Sequence, residues 1–153
     1  MKIISKITNG ILLIVIGIMH SHLAFSPDGL GNQFLKFSNT YFFKISSGLD
    51  ELPAEIGKTN FETFAAFWFF FFGFLLIPLG LLVHSIEKDG RVLPHYFTVS
   101  YLIFVLLGCY MIPNSGMTIV MLPHAIYMLV RNYLKARKNR KNLSSPLQHN
   151  TLK

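Results

Sequence analysis

Three long stretches of this chain contain no charged side chain. Residues 7–27, 63–86 and 92–130 lack Asp, Glu, Lys and Arg altogether. A helix that crosses the hydrocarbon core of a bilayer, about 30 Å thick, needs about 20 consecutive apolar residues. The first two stretches therefore predict one membrane span each, and the third is long enough for two.

A turn signal divides the third stretch. Pro113-Asn114-Ser115-Gly116 combines residues that interrupt helices and favour tight turns. The sequence thus predicts four spans, at about residues 3–25, 61–85, 94–112 and 116–134. Because the last two connections are short, consecutive helices should be antiparallel neighbours. We therefore predict an all-α fold, an up-down-up-down bundle of four transmembrane helices in residues 1–134, followed by a basic, disordered cytoplasmic tail in residues 135–153.

The composition excludes several classes of protein. Charged residues make up 14% of the 153 residues and hydrophobic residues 52%, whereas an average soluble domain is about 25% charged. An ordinary soluble domain and an intrinsically disordered chain are therefore both excluded. The single cysteine, Cys109, rules out a disulfide framework within the chain.

The first apolar stretch has an alternative interpretation as a secretory signal peptide, because Lys2 and Lys6 precede it. Residues 22–24, His-Leu-Ala, make a poor cleavage site. The apolar run is also long, and Gly10 and Gly17 lie on one helical face seven residues apart. These features favour a retained helix.

Basic residues lie unevenly around the predicted spans. Eleven of the 14 Lys and Arg residues fall in the N-terminal segment, the loop between spans two and three, and the C-terminal tail. Cytoplasmic loops are enriched in Lys and Arg, so both termini are predicted to be cytoplasmic. This topology accounts for the positive charge without a nucleic-acid partner.

The basic residues that follow the last span also predict contact with anionic lipid headgroups, at about 1 kcal/mol per charge near the surface. The same residues serve as an ordinary topological determinant, and the two roles are compatible. They are Arg131, Lys135, Arg137, Lys138, Arg140 and Lys141.

The only long connection, residues 26–60, carries aromatic and aliphatic residues at helical spacing. Phe34, Phe37, Tyr41 and Ile45 alternate with polar residues, which is typical of an amphipathic helix lying in the membrane interface. We expect this segment either to cover the outer end of the bundle or to serve a function of its own.

Ionisable side chains at membrane depth are the best functional candidates, because their burial costs several kcal/mol without partners. A candidate pocket in the outer half of the bundle combines His20, Trp68, His124 and Glu62. Such a pocket could hold a metal, a haem or a proton relay. The alternative is structural: His20 bonds a backbone carbonyl freed by Pro123, and Glu62 completes a helix cap with Thr59.

A second pair, His84 and His95, lies on either side of the short cytoplasmic loop. The sequence contains no His-x-x-x-His, no Glu-x-x-His and no cysteine pair, so it supports no specific metal site. No catalytic residue can be assigned, and no cofactor is predicted.

Several short motifs resemble those of a family of small, uncharacterised bacterial four-helix membrane proteins. They are a Gly-Ile-Met-His end to the first span, an aromatic run in the second, and Met-Ile-Pro-Asn-Ser-Gly before the last. The resemblance covers residues 7–131 and implies fold and membrane location only. This chain departs from the family at Met117, where an aromatic is usual, and His124 is not part of the pattern. The matching residues are His20, Phe67, Trp68, Gly73, Gly80, Pro94, Pro113, Ser115, Gly116 and Pro123.

The expected function is that of a non-enzymatic inner-membrane protein, an accessory or lipid-interacting component that acts as a homo-oligomer or within a larger membrane complex. The alternative is a haem-, metal- or quinone-linked redox protein that uses His20 and His124. A small transporter or channel is a third interpretation, which four spans would support only in an oligomer.

Overall fold

The computed structural model describes residues 7–41 and 61–144. These residues form five α-helices and no strand: α1 (Asn9–Phe25), α2 (Gly31–Tyr41), α3 (Phe61–Lys88), α4 (His95–Met111) and α5 (Leu122–Ser144). A π-helical turn, Met117–Met121, precedes α5. The prediction of an all-helical chain is confirmed for this part of the protein.

One described helix is long and apolar enough to cross a membrane, judged by length and composition. It covers Ala65–Lys88 within α3, and only 28% of its most apolar stretch is buried in the protein. The helices α1 and α4 are apolar but have 17 residues each. The four-span arrangement therefore stays a prediction.

Local residues account for the helix ends on either side of the loop between α3 and α4. Gly90 adopts φ 75° and its N–H donates to the carbonyl of Glu87. This left-handed conformation favours glycine because it has no Cβ, and it stops α3. Pro94 stands immediately before α4, where the missing proline N–H costs nothing.

Pro123 explains the π-helical turn before α5. Proline cannot donate a backbone hydrogen bond, and its ring collides with the carbonyl four residues earlier in a regular α-helix. Over Met117–Met121 the helix widens, and the N–H of Leu122 donates to the carbonyl of Met117, five residues back. The extra residue in this turn gives the proline ring room without breaking the helix.

Helix α5 runs past the boundary expected from the sequence. Residues 135–144 are helical, although the sequence predicts disorder from residue 135. Lys, Arg and Ala favour helices, and no Gly or Pro occurs between residues 124 and 145. The helix therefore continues from apolar into basic sequence without a signal to stop.

The chain divides into two compact units. The first, which we call the polar unit, comprises Met1–Leu12 with Gly80–Lys153, and the second, the aromatic unit, comprises Leu13–Leu79. Small residues on α1 and α3 are buried, where they let the helices of each unit approach closely. They are Gly10, Gly17 and Ala24 on α1, and Ala66, Gly73 and Gly80 on α3.

Within the aromatic unit, α2 packs through its apolar face, as its spacing predicts. The rings of Phe34 and Phe37 are buried. Phe34 lies 4.8 Å from Phe25 of α1 and 5.1 Å from Phe70 of α3, while Phe37 stacks on Phe67 at 4.8 Å. Ile45, the last residue of the predicted pattern, lies outside the described residues.

Candidate functional site

The first turn of α1 in the polar unit is closed by a threonine that also contacts α3. The Thr8 hydroxyl accepts a hydrogen bond from the N–H of Ile11 at 3.2 Å, which is the geometry of a helix N-cap. The same oxygen lies 2.8 Å from Nδ1 of His84. Thr8 therefore satisfies a free N–H of α1 and joins α1 to α3 at once.

A carboxylate of α3 binds the next residue of α1 with both oxygens. The backbone N–H of Asn9 donates to Oε2 of Glu87 at 2.6 Å, and its side-chain Nδ2 donates to Oε1 at 2.5 Å. Asn9 is fully buried. A negative charge at the start of a helix is favourable, because the first N–H groups are free and carry partial positive charge.

His124 lies in the same unit, on the α5 turn that follows Pro123. Its Nδ1 is 3.2 Å from the hydroxyl of Tyr101 on α4. Its Nε2 is buried and has no hydrogen-bond partner within residues 7–41 and 61–144. Asn9 with Glu87 and Tyr101 with His124 are thus two hydrogen-bonded pairs of the polar unit, which we call together the inner polar cluster.

Other polar contacts in this unit tie helix ends to one another. Asn132 of α5 accepts from the N–H of Leu93 and donates to its carbonyl, both at 2.9 Å. Arg131 donates to the carbonyl of Ile7 at 2.6 Å, and Lys135 to that of Arg91 at 2.8 Å. The start of α1, the loop between α3 and α4, and the basic part of α5 therefore meet at one end of the polar unit.

The predicted pocket residues have the following surroundings. His20, in the aromatic unit, stacks on Phe69 at 3.8 Å, and its Nε2 is buried with no hydrogen-bond partner in the described part of the chain. Trp68 is exposed and meets Phe67 and Phe71 edge to face. The side chain of Glu62 and its proposed cap partner Thr59 lie outside the described residues. The pocket of His20, Trp68, His124 and Glu62 stays a prediction.

The structure gives His84 and His95, the two histidines on either side of the loop between α3 and α4, separate surroundings. The partner of His84 is Thr8, and His95 is exposed at the start of α4. Among residues 7–41 and 61–144, no group of three or more His, Cys, Asp and Glu side chains could hold a metal ion.

The protein matches the model of one family over residues 45–135, which is more than half of the chain. This is a family of unknown function, DUF6463. The chain belongs to DUF6463. No curated protein and no solved structure matches the chain.

The match confirms that the chain resembles an uncharacterised family, and it leaves the four-helix, membrane and bacterial parts of that resemblance as predictions. Of the inner polar cluster, Glu87, Tyr101 and His124 fall within the DUF6463 match, whereas Asn9 lies before it. His20 also lies before it.

Sequence reasoning missed most of the inner polar cluster. Asn9 and Thr8 precede an apolar run, and a Thr or Asn at that place is a recognised helix start. That signal could have placed the beginning of α1 near residue 9. The bond from Asn9 to Glu87 joins residues 78 positions apart, and no local pattern reveals it.

Proposed function

We propose that this DUF6463 protein is an integral inner-membrane protein that crosses the bilayer four times and has no enzymatic activity. The observation that carries the proposal is the apolar character of its outer surface. Large apolar side chains are exposed along α1, α3, α4 and the part of α5 before residue 135, while the buried residues include Asn9, Thr98, His124 and Asn132. Exposed apolar area on this scale is unfavourable in water and suits contact with lipid.

Two tyrosines of α4 support the same proposal. Tyr96 and Tyr110 stand at the two ends of the helix and are 79% and 85% exposed. They are separated by about 21 Å at about 1.5 Å rise per residue. Tyrosine and tryptophan are enriched at both membrane interfaces, where their apolar rings and polar tips suit the headgroup level.

The helix-end contacts support a topology with both termini in the cytoplasm. The start of α1, the loop after α3 and the basic part of α5 are joined through Arg131 and Lys135. Four alternating spans would bring these segments to one membrane face. Their positive charge marks that face as cytoplasmic.

Cysteine accessibility mapping tests this topology. In a Cys109→Ala background, Asp89→Cys, Asn114→Cys and Lys138→Cys introduce one exposed thiol each. A membrane-impermeant maleimide should label Asn114→Cys in intact spheroplasts, and the other two only after the membrane is opened. Labelling of Asp89→Cys and Lys138→Cys from opposite sides, or release of the protein by alkaline carbonate, would contradict the proposal.

We further propose that the basic end of α5 binds anionic lipid headgroups. Arg131 and Lys135 are engaged with backbone carbonyls, whereas Arg137, Lys138 and Arg140 are exposed on the helical extension. Neutralising these three to glutamine should weaken retention of phosphatidylglycerol in nanodiscs by about 1 kcal/mol per charge. Lys36→Gln on α2 is the control, and equal losses in both variants would contradict the role of α5.

The buried Nε2 atoms of His20 and His124 favour one second candidate, a haem-, metal- or quinone-linked redox protein. Both atoms are potential ligands because they have no hydrogen-bond partner within residues 7–41 and 61–144. Purified protein would then show a Soret band, stoichiometric metal or bound quinone that is lost in His20→Ala or His124→Ala. Protein without any such signal would eliminate this candidate.

A further inference from the structure

A row of sulphur and imidazole side chains lies along the buried face of the last helical segment in the polar unit. Met121 closes the π-helical turn, and His124 and Met128 follow in α5 at spacings of three and four residues. Residues at these spacings are neighbours on one helical face, with Cβ atoms about 5–6 Å apart. The three residues are at most 6% exposed, so all of them lie inside the protein.

Two contacts show that this row faces α4. The sulphur of Met117, one turn before Met121, lies over Gly108, where an added Cβ would overlap it. Further along, Nδ1 of His124 is 3.2 Å from the hydroxyl of Tyr101. Both partners belong to α4, seven residues apart, so the two segments run antiparallel at this interface. Met121 lies between the two contacts along the row.

The imidazole of His124 has one nitrogen available to this row. Its Nε2 is buried and has no hydrogen-bond partner within residues 7–41 and 61–144. Helical side chains lean toward the N-terminus of their helix, so we expect Met128 to lean over the turn of His124, and His124 over the turn of Met121. Because methionine has three rotatable bonds and a polarizable sulphur, both thioethers can approach this nitrogen.

We propose that Nε2 of His124 and the sulphurs of Met121 and Met128 bind a soft monovalent metal ion, Cu(I). Thioether sulphur is a soft ligand that selects Cu(I), and imidazole suits copper as well. All three ligands are neutral, and the cost of burying an ion rises with its charge, so a monovalent ion is favoured over Zn²⁺. Within the described ranges, no group of three or more His, Cys, Asp and Glu side chains offers a divalent ion a better place.

Ordinary core packing accounts for only part of this arrangement. Methionines fill irregular gaps between helices, and Met121 and Met128 do so here. Packing alone, however, leaves Nε2 of His124 buried without a partner in the described part of the chain, at a cost of about 1–3 kcal/mol. A bound metal ion uses the lone pair of this atom and removes that cost.

Tyr101 holds the ring in the form that a metal requires. For Nε2 to offer its lone pair, the ring proton must be on Nδ1, where the hydroxyl oxygen of Tyr101 can accept it. Metal-bound histidines usually donate their second N–H in this way, which fixes the orientation of the ring. Tyr101 is therefore a positioning residue for His124.

This inference goes beyond the proposed membrane role, and it requires neither four spans nor His20. It is tested in nanodiscs by competition for Cu(I) with a chromophoric chelator under reducing conditions, in a Cys109→Ala background that removes the single thiol. One Cu(I) should bind per chain. Because even the loss of an outer partner costs about 10–100-fold in metal affinity, His124→Gln and Met128→Leu should each weaken binding more than about tenfold. Leucine replaces methionine at nearly constant volume, which protects the fold.

Met111→Leu is the matched control. Met111 ends α4 and is 70% exposed, so its removal should leave Cu(I) binding unchanged. Equal losses in Met111→Leu and Met128→Leu would overturn the proposal, and so would Zn²⁺ binding as tight as that of Cu(I). A loss of binding in His20→Gln would also overturn it, because the ion would then belong to the pair of histidines considered above.

X-ray absorption at the copper edge needs no substitution within the site. In the Cu(I)-loaded Cys109→Ala protein, all sulphur comes from methionine, so the spectrum should show two sulphur neighbours and one nitrogen neighbour. A copper ion without sulphur neighbours would overturn the proposal even if the site variants failed to fold. Protein that binds no Cu(I) in stoichiometric amount would do the same.

Discussion

The polar unit and the aromatic unit hold their helices together by different means. In the polar unit, side chains from one helix bond to another, as in Asn9 with Glu87 and Asn132 with the backbone of Leu93. In the aromatic unit, the contacts are between rings, as in Phe25 with Phe34 and Phe70.

In both units, small residues let the helices approach one another closely. Because the units share this feature, the difference between their hydrogen bonds and their ring contacts is informative. When lipid surrounds the helices, apolar contacts between them gain little from the hydrophobic effect, so packing and interhelical hydrogen bonds provide the association energy. The polar unit uses both sources, and the aromatic unit uses mainly packing. Substitutions that remove either hydrogen bonds or packing contacts should therefore affect the stability of the two units to different extents.

The largest effect is expected at Gly10. A Cβ at this position would overlap the backbone of Gly80 and His84 on α3, and backbone atoms cannot move aside as a flexible side chain can. Gly10→Ala should lower the free energy of unfolding by about 3 kcal/mol, the upper part of the usual range for overpacking. Unfolding in mixed micelles with increasing SDS measures the change.

Gly17→Ala provides the comparison in the aromatic unit. Its Cβ would stand 2.7 Å from the carbonyl oxygen of Gly73 and 3.0 Å from Cβ of Leu76, so we expect a smaller loss of about 1–2 kcal/mol. Gly116→Ala has open space around it and should change stability by less than about 0.5 kcal/mol. An equal loss of stability in Gly17→Ala and Gly10→Ala would mean that the helices are packed equally tightly at both glycines.

The second-largest change in stability is expected at Asn132. Asn132→Ala removes both hydrogen bonds to Leu93, whose backbone groups are buried. Because unsatisfied buried groups cost about 1–3 kcal/mol, unfolding should become easier by about 2 kcal/mol. The same SDS titration applies, and Asn114→Ala in the exposed turn is the control. A neutral Asn132→Ala would show that the polar contacts contribute nothing to the stability of this unit.

The sequence predicted the helices well where local chemistry decides their ends. The turn at Pro113–Gly116, the glycine stop at Gly90 and the amphipathic α2 all follow from neighbouring residues. Missing charges located the apolar stretches because every residue of such a stretch contributes to the signal. The extension of α5 through residues 135–144 was not predicted, since helix propensity there competes with a basic composition that also suits disorder.

The polar contacts were largely beyond sequence reasoning. His124 was recognised as a buried ionisable group, but it was assigned to a pocket with His20 by estimated depth. The structure shows a hydrogen-bond partner in its own unit, Tyr101, 23 positions away. Depth along a span does not determine which helical face a side chain occupies or which helix lies opposite, so the partner could not be identified.

Removing Phe37 should act locally in the aromatic unit. The ring of Phe37 stacks on Phe67, while Phe34 anchors the same helix separately. Phe37→Ala should lower the free energy of opening α2 by at least about 1 kcal/mol, which is the contribution of an aromatic pair, and leave the rest of the unit unchanged. Hydrogen exchange of the α2 amides measures this, with the exposed Leu35→Ala as control. Equally faster exchange in α3 would mean that α2 is part of one cooperative core.

The smallest effect is expected at Ser21, the buried polar residue of the aromatic unit. Its hydroxyl donates to the carbonyl of Phe70 at 3.5 Å, longer than the 2.5–3.0 Å of a good O–H···O hydrogen bond, and that carbonyl sits within the regular helix α3. Ser21→Ala should therefore change the free energy of unfolding by less than about 0.5 kcal/mol, compared with about 2 kcal/mol for Asn132→Ala. Both variants should be measured in one SDS titration series. Equal losses would contradict the distinction between the units, because a long hydrogen bond in the aromatic unit would then contribute as much as the paired bonds of the polar unit.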